Sequence, residues 1–271
     1  MKIGKHLSPN IRLPKCYKNN RKYDNMVQEE VTISVVIPVY NEEDNLEPLL
    51  DELFRVLKNL GRSFEVICVD DASTDSSFSV LQNLKHNYSQ LRVIQHTINC
   101  GESAGQATGF AHARGEWVIT MDADQQNDPA DIPILLEASQ NVDAVCGVRS
   151  EREDDWVKRI SSKIANGFRN WVTQDIITDA GCTFRALRRD ALREMPVFNG
   201  MHRFLPTLLR LQGFTAIEIA VNHRPRTRGE SKYGIGNRMF RGLVDCFAIL
   251  WWRKRSFPAK RFQTESEVSI S

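Results

Sequence analysis

The stretch "VTISVVIPVYNEEDNLEPLLDELFRVLKNLG", residues 31–61, carries the change of hydrophobic period on which the fold of this chain turns. Val31 to Val39 is an apolar, β-branched run of the kind found in a parallel strand buried on both faces. From Glu42 onward Leu46, Leu49, Leu50, Leu53, Phe54 and Leu57 recur at helical spacing, and Gly61 marks the stop. Pro38 lacks an N–H, so the strand is expected to open into a loop there. Strand "FEVICVD", helix "SSFSVLQNLKHN", strand "LRVIQH", helix "ESAGQATGFAHAR" and strand "EWVITMD" follow. Strands alternating with helices predict an α/β domain with a mostly parallel central sheet. In such sheets ligands bind beyond the carboxyl ends of the strands.

The second half is less regular. Strand "VDAVCGV" leads to the charged loop "RSEREDDW" and a helix from about Val157 to Val172. "AGCTFRALRR" can pair as a further strand, and helix "MHRFLPTLLRLQG" and strand "FTAIEIAVNHRPR" come after it. At 271 residues the chain suits one large domain or two small ones. The formal charge of +2 offers no bulk argument for nucleic acid, so any basic site must be local. Cys16, Cys68, Cys100, Cys146, Cys182 and Cys246 form no C-x-x-C pair, which reads as reduced thiols of a cytoplasmic protein. Residues 1–30 are basic and polar, without the apolar segment of a signal peptide, and are expected to be a disordered leader. The most apolar stretch, "GLVDCFAILWW", is shorter than the roughly 18–20 residues a membrane span needs and carries Asp245.

Chemistry-bearing residues cluster where strands end. In "WVITMDADQQNDP", residues 117–129, Asp122, Asp124 and Gln126 are two residues apart, so on extended chain they face one way. Three oxygen donors on one point select Mg²⁺ or Mn²⁺ over zinc. Asp128 supplies the helix cap before Pro129, leaving the trio for a metal. In "VDDASTDSS", Asp75 or Ser76 reads as a helix cap, which leaves Asp70 and Asp71 for a ligand. Glu42 suits either a ribose hydroxyl pair or the helix N-terminus beside it. Gly101, Gly105 and Gly109 match neither phosphate-binding glycine pattern and are read as a face for close helix–sheet packing.

"VVIPVYNEEDNL", "VDDASTDSS", "NCGESAGQATGFAHARGEWVITMDADQQNDP" and "RGESKYG" stand in the order seen in family 2 glycosyltransferases of GT-A (Rossmann-like) fold. The chain most resembles the branch containing dolichol-phosphate mannosyltransferase and bacterial polyprenyl-phosphate glycosyltransferases, over roughly Thr32 to Trp252. The resemblance implies a nucleotide-diphosphate sugar (GDP-mannose or a UDP-hexose), a divalent metal, and inverting transfer. Carried across by motif, Pro38, Tyr40 and Glu42 border the nucleoside, Asp70 or Asp71 contacts the base, and Asp122, Asp124 and Gln126 hold the metal on the diphosphate.

A polyprenyl phosphate acceptor carries close to two negative charges, with a second pKa of about 6, and needs cationic positioning, not a strong base. Arg149 and Arg159, with Ser162 one helical turn after Arg159, and Arg226, Ser231 and Lys232 in "RPRTRGESKYG", supply it, and by resemblance Arg149, Arg159, Arg226 and Lys232 match phosphate contacts. Arg152 and Arg228 read as solvated charges. Asp179 is either a base or acceptor-side contact, or a turn residue before Gly181. His202 reads as structural, with Arg203 a candidate for the same pocket.

The last apolar stretch, flanked by Arg238, Arg241, Arg253, Lys254 and Arg255, suits an amphipathic helix lying on the cytoplasmic membrane face, alone or with a separate membrane subunit. The expected layout is a leader (1–30), a glycosyltransferase domain (31–235, with a donor and metal half 31–127 and an acceptor half 128–235), and an interfacial helix and tail (236–271). Two other functions fit the same residues. One is transfer to a sugar hydroxyl with Asp179 as base; the other is a membrane-associated nucleotide-sugar binder without chemistry.

Overall fold

The structure is a computed structural model that describes residues 31–149, 167, 169–173, 177–225 and 235–255, with side chains of the final helix described from residue 244 onward. Strands β1 (Ile33–Val39), β2 (Phe64–Asp70), β3 (Leu91–Gln95), β4 (Trp117–Thr120), β5 (Ala144–Arg149), β6 (Arg185–Arg188) and β7 (Ala216–Val221) form one sheet in the order β3-β2-β1-β4-β6-β5-β7. β1 lies parallel to β2 and β4, β2 to β3, and β5 to β7, whereas β6 is antiparallel to β4 and β5. The carboxyl ends of the six co-directional strands therefore share one edge of the sheet. The expected mostly parallel α/β sheet is present, and "AGCTFRALRR" supplies the reversed strand.

The helices are α1 (Glu43–Asn59), α2 (Ser77–Asn87), α3 (Glu102–His112), α4 (Ile132–Ala138), the single turn α5 (Arg189–Leu192), α6 (Leu205–Leu211) and α7 (Ile235–Arg253), with further helical residues at 169–173. The pleat of β1 explains the two layers. Ile33, Val35, Ile37 and Val39 enter the core that holds Leu46, Leu50, Leu53 and Phe54 of α1, while Val36 enters the opposite core with Ala107 of α3, Leu205 and Leu208 of α6 and Ile249 of α7. A strand buried on both faces cannot alternate apolar with polar, which is why residues 31–39 read as one continuous apolar run.

The glycines of α3 act as packing residues, as the sequence predicted. A Cβ on Gly105 would sit 3.0 Å from Pro38 Cβ, and one on Gly109 only 2.2 Å from Val36 Cγ1, so α3 lies directly against β1. Gly101 differs. It precedes the helix at φ +86°, where an L side chain is strained.

The expectation that β1 opens at Pro38 is not met: Pro38 pairs with Val69 inside the strand. Val36 O accepts from Met121 N on the β4 side and Val39 O accepts from Asp71 N on the β2 side. By that alternation the missing N–H of Pro38 faces β4, and the β1–β4 ladder has already ended at Val36–Thr120. No disulfide joins the described cysteines.

Candidate functional site

Four loops meet at the carboxyl edge of the sheet. The first two, after β1 and β2, brace each other. Asn41, at φ +54°, donates its N–H to Ser73 Oγ (3.0 Å) and accepts from Thr74 N (2.7 Å). Asp75 accepts from Ser77 N (2.9 Å) and Glu43 N (3.3 Å), while Glu43 accepts from Ser76 N (2.7 Å). Two adjacent helix N-termini thus satisfy each other's open N–H groups. Ser76 occupies the N-cap position of α2 without a side-chain cap bond, and Asp75 supplies the capping carboxylate. Glu42 accepts from Asn45 Nδ2 (2.7 Å) in the first turn of α1. Tyr40 is half-buried at the strand end.

Asp70 and Asp71 divide more sharply than their sequence suggests. Both are buried. Asp71 accepts from His96 Nδ1 (2.7 Å), Cys100 N (2.9 Å) and Gly101 N (2.6 Å), and His96 Nε2 meets Thr108 Oγ1 at 2.8 Å. Its two oxygens order the loop into α3, which corrects the expectation that it is open to a ligand. Asp70 accepts only through Oδ2, from Ser73 N (3.4 Å) and Gln95 Nε2 (3.2 Å); its Oδ1 is buried without a hydrogen-bond partner among the described residues.

The third loop is the acidic turn. β4 ends at Thr120, so Asp122, Asp124 and Gln126 do not lie on extended chain, and strand alternation is not what groups them. A turn does so instead. Gln125 adopts φ +62°, Asp122 N donates to Asn127 Oδ1 (2.9 Å), and Gln126 N donates to Asp124 Oδ1 (3.1 Å). Burial, and then the charge of Asp124, push the Asp122 carboxyl up to about 6, while the Thr183 hydroxyl bonded to it and the Arg185 and Arg149 guanidinium groups pull the other way. The two crowded carboxylates, with Gln126 on the same turn, are oxygen donors of the kind a hard divalent cation takes, since its charge would relieve their repulsion.

The fourth group comes from β5 and the segment before β6. Arg149 holds Asp179 in a fork, Nε to Oδ2 and Nη2 to Oδ1, both at 2.7 Å. Glu218 of β7 accepts from Thr178 N (2.9 Å) and Asp179 N (3.3 Å), fixing this carboxylate from behind. Both oxygens of this carboxylate are thus engaged by one guanidinium. The sequence treated Arg149 and Asp179 as separate contacts; the structure makes them one unit. Arg159, Ser162, Arg226, Ser231 and Lys232, with Arg152, Arg228 and the leader 1–30, lie outside the described residues. His202 Nδ1 lies 2.8 Å from Ser103 Oγ, and Arg203 faces Asp245 at 3.8 Å.

Four residues of this edge escaped the sequence reading. Thr183 bonds Asp122; Arg185, 1% exposed, donates to His202 O (2.6 Å) and Ala180 O (3.4 Å) behind it. His223 and Arg224 run beside the acidic turn, with Gln126 Nε2 3.3 Å from His223 Nε2. The signal for Arg185 was an arginine inside an apolar strand pattern; for His223 and Arg224 it was their place directly after β7.

The model of the family described as "Glycosyl transferase family 2" matches residues 34–195. The chain belongs to glycosyl transferase family 2. It is 38% identical over 205 residues to undecaprenyl-phosphate 4-deoxy-4-formamido-L-arabinose transferase of Edwardsiella ictaluri (strain 93-146), a match covering 75% of this chain and 63% of that protein. The chain thus spans under two thirds of the length of that family 2 relative. Among solved structures, glucosyl-3-phosphoglycerate synthase from Mycobacterium tuberculosis, in complex with Mn²⁺, UDP and glucosyl-3-phosphoglycerate, shares the fold at a TM-score of 0.61 and 18% identity, over 82% of this chain and 80% of that one. A mannosyltransferase from Pyrobaculum calidifontis, in complex with GDP-Man and Mn²⁺, does so at 0.55 and 19%, over 82% and 70%. At these identities the two structures establish a common GT-A-like architecture for the family 2 chain.

Proposed function

We propose that this chain transfers a sugar, with inversion, from a nucleotide-diphosphate sugar to a polyprenyl phosphate at the cytoplasmic membrane face. The observation that carries the reading is the turn at the sheet's carboxyl edge that crowds Asp122 against Asp124 and carries Gln126, with the Arg149–Asp179 fork nearby. The relative named for undecaprenyl phosphate supports the acceptor class.

The roles follow from chemistry. Residues 31–127 form the donor half, in which Pro38, Tyr40 and Glu42 border the nucleoside. Asp70, whose Oδ1 is unspent, takes the base N–H, and Asp71 shapes the loop behind it. Asp122, Asp124 and Gln126 would hold Mg²⁺ or Mn²⁺, which when bound neutralises a departing diphosphate. Residues 128–235 form the acceptor half. There Arg149, held by Asp179, presents fixed positive charge for an anionic acceptor, and Arg159, Ser162, Arg226, Ser231 and Lys232 complete the phosphate contacts. An acceptor phosphate oxygen is already a nucleophile, so the engagement of both Asp179 oxygens by Arg149 is no handicap. It counts against the sugar-hydroxyl alternative, which needs Asp179 as a base.

The membrane face is α7. Val244, Phe247 and Trp251 are 52%, 59% and 62% exposed at helical spacing, followed by Arg253, Lys254 and Arg255. An exposed apolar stripe ending in cations suits a helix lying in an anionic interface. Among the described residues no helix is long and apolar enough to cross a membrane.

The test is transfer of labelled sugar from GDP-mannose, UDP-glucose, UDP-N-acetylglucosamine and a nucleotide-activated 4-deoxy-4-formamido-L-arabinose into an organic phase containing polyprenyl phosphate, with Mg²⁺ or Mn²⁺. Metal-dependent transfer from one donor is expected, with at least about a hundredfold loss in Asp124→Asn, in line with removing a principal electrostatic stabiliser. Donor binding without transfer to any acceptor would replace this reading with that of a binder.

A further inference from the structure

The segment that leaves β7 returns across the acidic turn and grips it at several points. Asn222 N donates to Asp131 Oδ2 (2.6 Å), and Asn127 and His223 form an antiparallel bridge. Arg224 N donates to Gln126 O (2.9 Å), and Gln126 Nε2 donates back to Arg224 O (3.3 Å). The backbone of residue 224 therefore engages Gln126 twice, once on its main chain and once on its side chain.

That second contact decides which way the amide points. A carbonyl oxygen can only accept, so the atom of Gln126 facing Arg224 O must be the nitrogen; the flipped amide would set two acceptors against each other. His223 Nε2, 3.3 Å from the same nitrogen, is then the acceptor of the other amide hydrogen. With the NH₂ group spent on residues 223 and 224, Oε1 is turned away from them, and it makes no hydrogen bond with the described residues. A neutral amide binds a hard cation only through oxygen. The contact thus fixes the amide in the one orientation that leaves its oxygen available as a ligand atom.

Residue 224 is fixed in turn by its own side chain. Its guanidinium forks onto Glu52 of α1, at 2.7 and 2.9 Å, and reaches Asp128 Oδ1 at 2.7 Å. Asp128 also caps the helical turn after the acidic loop through Ala130 N (2.9 Å). Arg224 therefore ties three parts of the chain together: α1, the end of the metal turn, and the segment after β7. A lysine has one ammonium and no fork to span both carboxylates in this way.

We propose that Arg224 is a positioning residue that, by anchoring its own backbone through Glu52 and Asp128, sets the amide of Gln126 with its oxygen toward the divalent cation. The inference rests on the proposed metal role of Asp122, Asp124 and Gln126 and adds what orients the weakest ligand of the three.

Mn²⁺ binding, read by the loss of the free-ion electron paramagnetic resonance signal with and without GDP or UDP, tests it independently of turnover. Wild type, Arg224→Met, Gln126→Ala and the double variant form a cycle. Arg224→Met should weaken Mn²⁺ binding by about tenfold or more, the range for losing a residue that orients a ligand. In the Gln126→Ala background the same change should cost no more than about twofold, because the residue it acts through is gone. Unchanged Mn²⁺ affinity in Arg224→Met would overturn the inference while leaving the metal site standing. So would independent, multiplying losses, which mark a general structural role. No Mn²⁺ binding by wild type would overturn both. Should Arg224→Met not fold, Arg224→Lys takes its place in the same cycle, with a smaller loss of about threefold to tenfold expected.

Discussion

Glu65 shows how far a single residue can be understood from its contacts. It is 1% exposed on β2, yet its carboxylate accepts from Ser34 Oγ (2.7 Å), Arg92 Nη1 (2.7 Å), Arg114 N (2.8 Å) and Arg114 Nε (2.9 Å). Burial alone would raise its pKa; the hydroxyl, the two guanidinium groups and the N–H together outweigh that and hold it below the ordinary value of 4.5. A depressed carboxylate contributes stability that is complete above its unfolded value and lost as pH falls through the folded one. Urea titrations from pH 7 to pH 3 should therefore show wild type losing stability below about pH 4.5. Glu65→Gln, less stable by about 2 kcal/mol at pH 7, should lose less over that range. Equal pH slopes in the two proteins would show that another group carries the effect. At the same scale the sequence marked Asp122 and Asp124 as candidate oxygen ligands, but not which of Asp70 and Asp71 is spent inside the protein. Adjacent aspartates look alike until the loop after β3 brings Cys100 N and Gly101 N to one of them.

Elements were legible where one period persists. The seven-residue apolar run of β1 and the leucine spacing of α1 each act through many side chains, so no single contact can override them. Close packing of α3 on β1 was legible too, from glycines four residues apart. Gly109 lies so near Val36 that even a methyl group must displace the helix or the strand. Gly109→Ala should cost about 1–3 kcal/mol in urea unfolding, and Val36→Ala in the same chain should recover part of it by vacating the space. Gly105→Ala, against the Pro38 ring at 3.0 Å, should cost less. What failed at this scale was the placement of Asp122 and Asp124 on a strand. β4 is only four residues long, and a left-handed residue at Gln125 turns the chain, a conformation with no signature in a run of polar residues. Pro38 misled for a related reason: whether its missing N–H matters depends on how far the neighbouring strand extends.

Across the whole molecule, the sheet edge with its acidic turn and the exposed face of α7 are the two features the proposed reaction must bring to one membrane. Wild-type protein should co-sediment with vesicles containing an anionic phospholipid, with a blue shift in tryptophan fluorescence. Phe247→Ser with Trp251→Ser should weaken that binding by about tenfold or more, since burying each aromatic is worth roughly 1.5–3 kcal/mol. Absence of vesicle binding by wild type would remove α7 as the contact. By itself the sequence determined the α/β class, the helix–strand order, the family and the residue types of the acidic turn, because these are written in local period and contiguous motifs. Only the tertiary structure decided that Asp179 belongs to Arg149, that Asp71 is enclosed, and that Arg224 holds Glu52, a partner 172 residues away. Such pairings depend on which loops the sheet order brings to a common edge, and strand order across the sheet leaves no trace in the spacing along the chain.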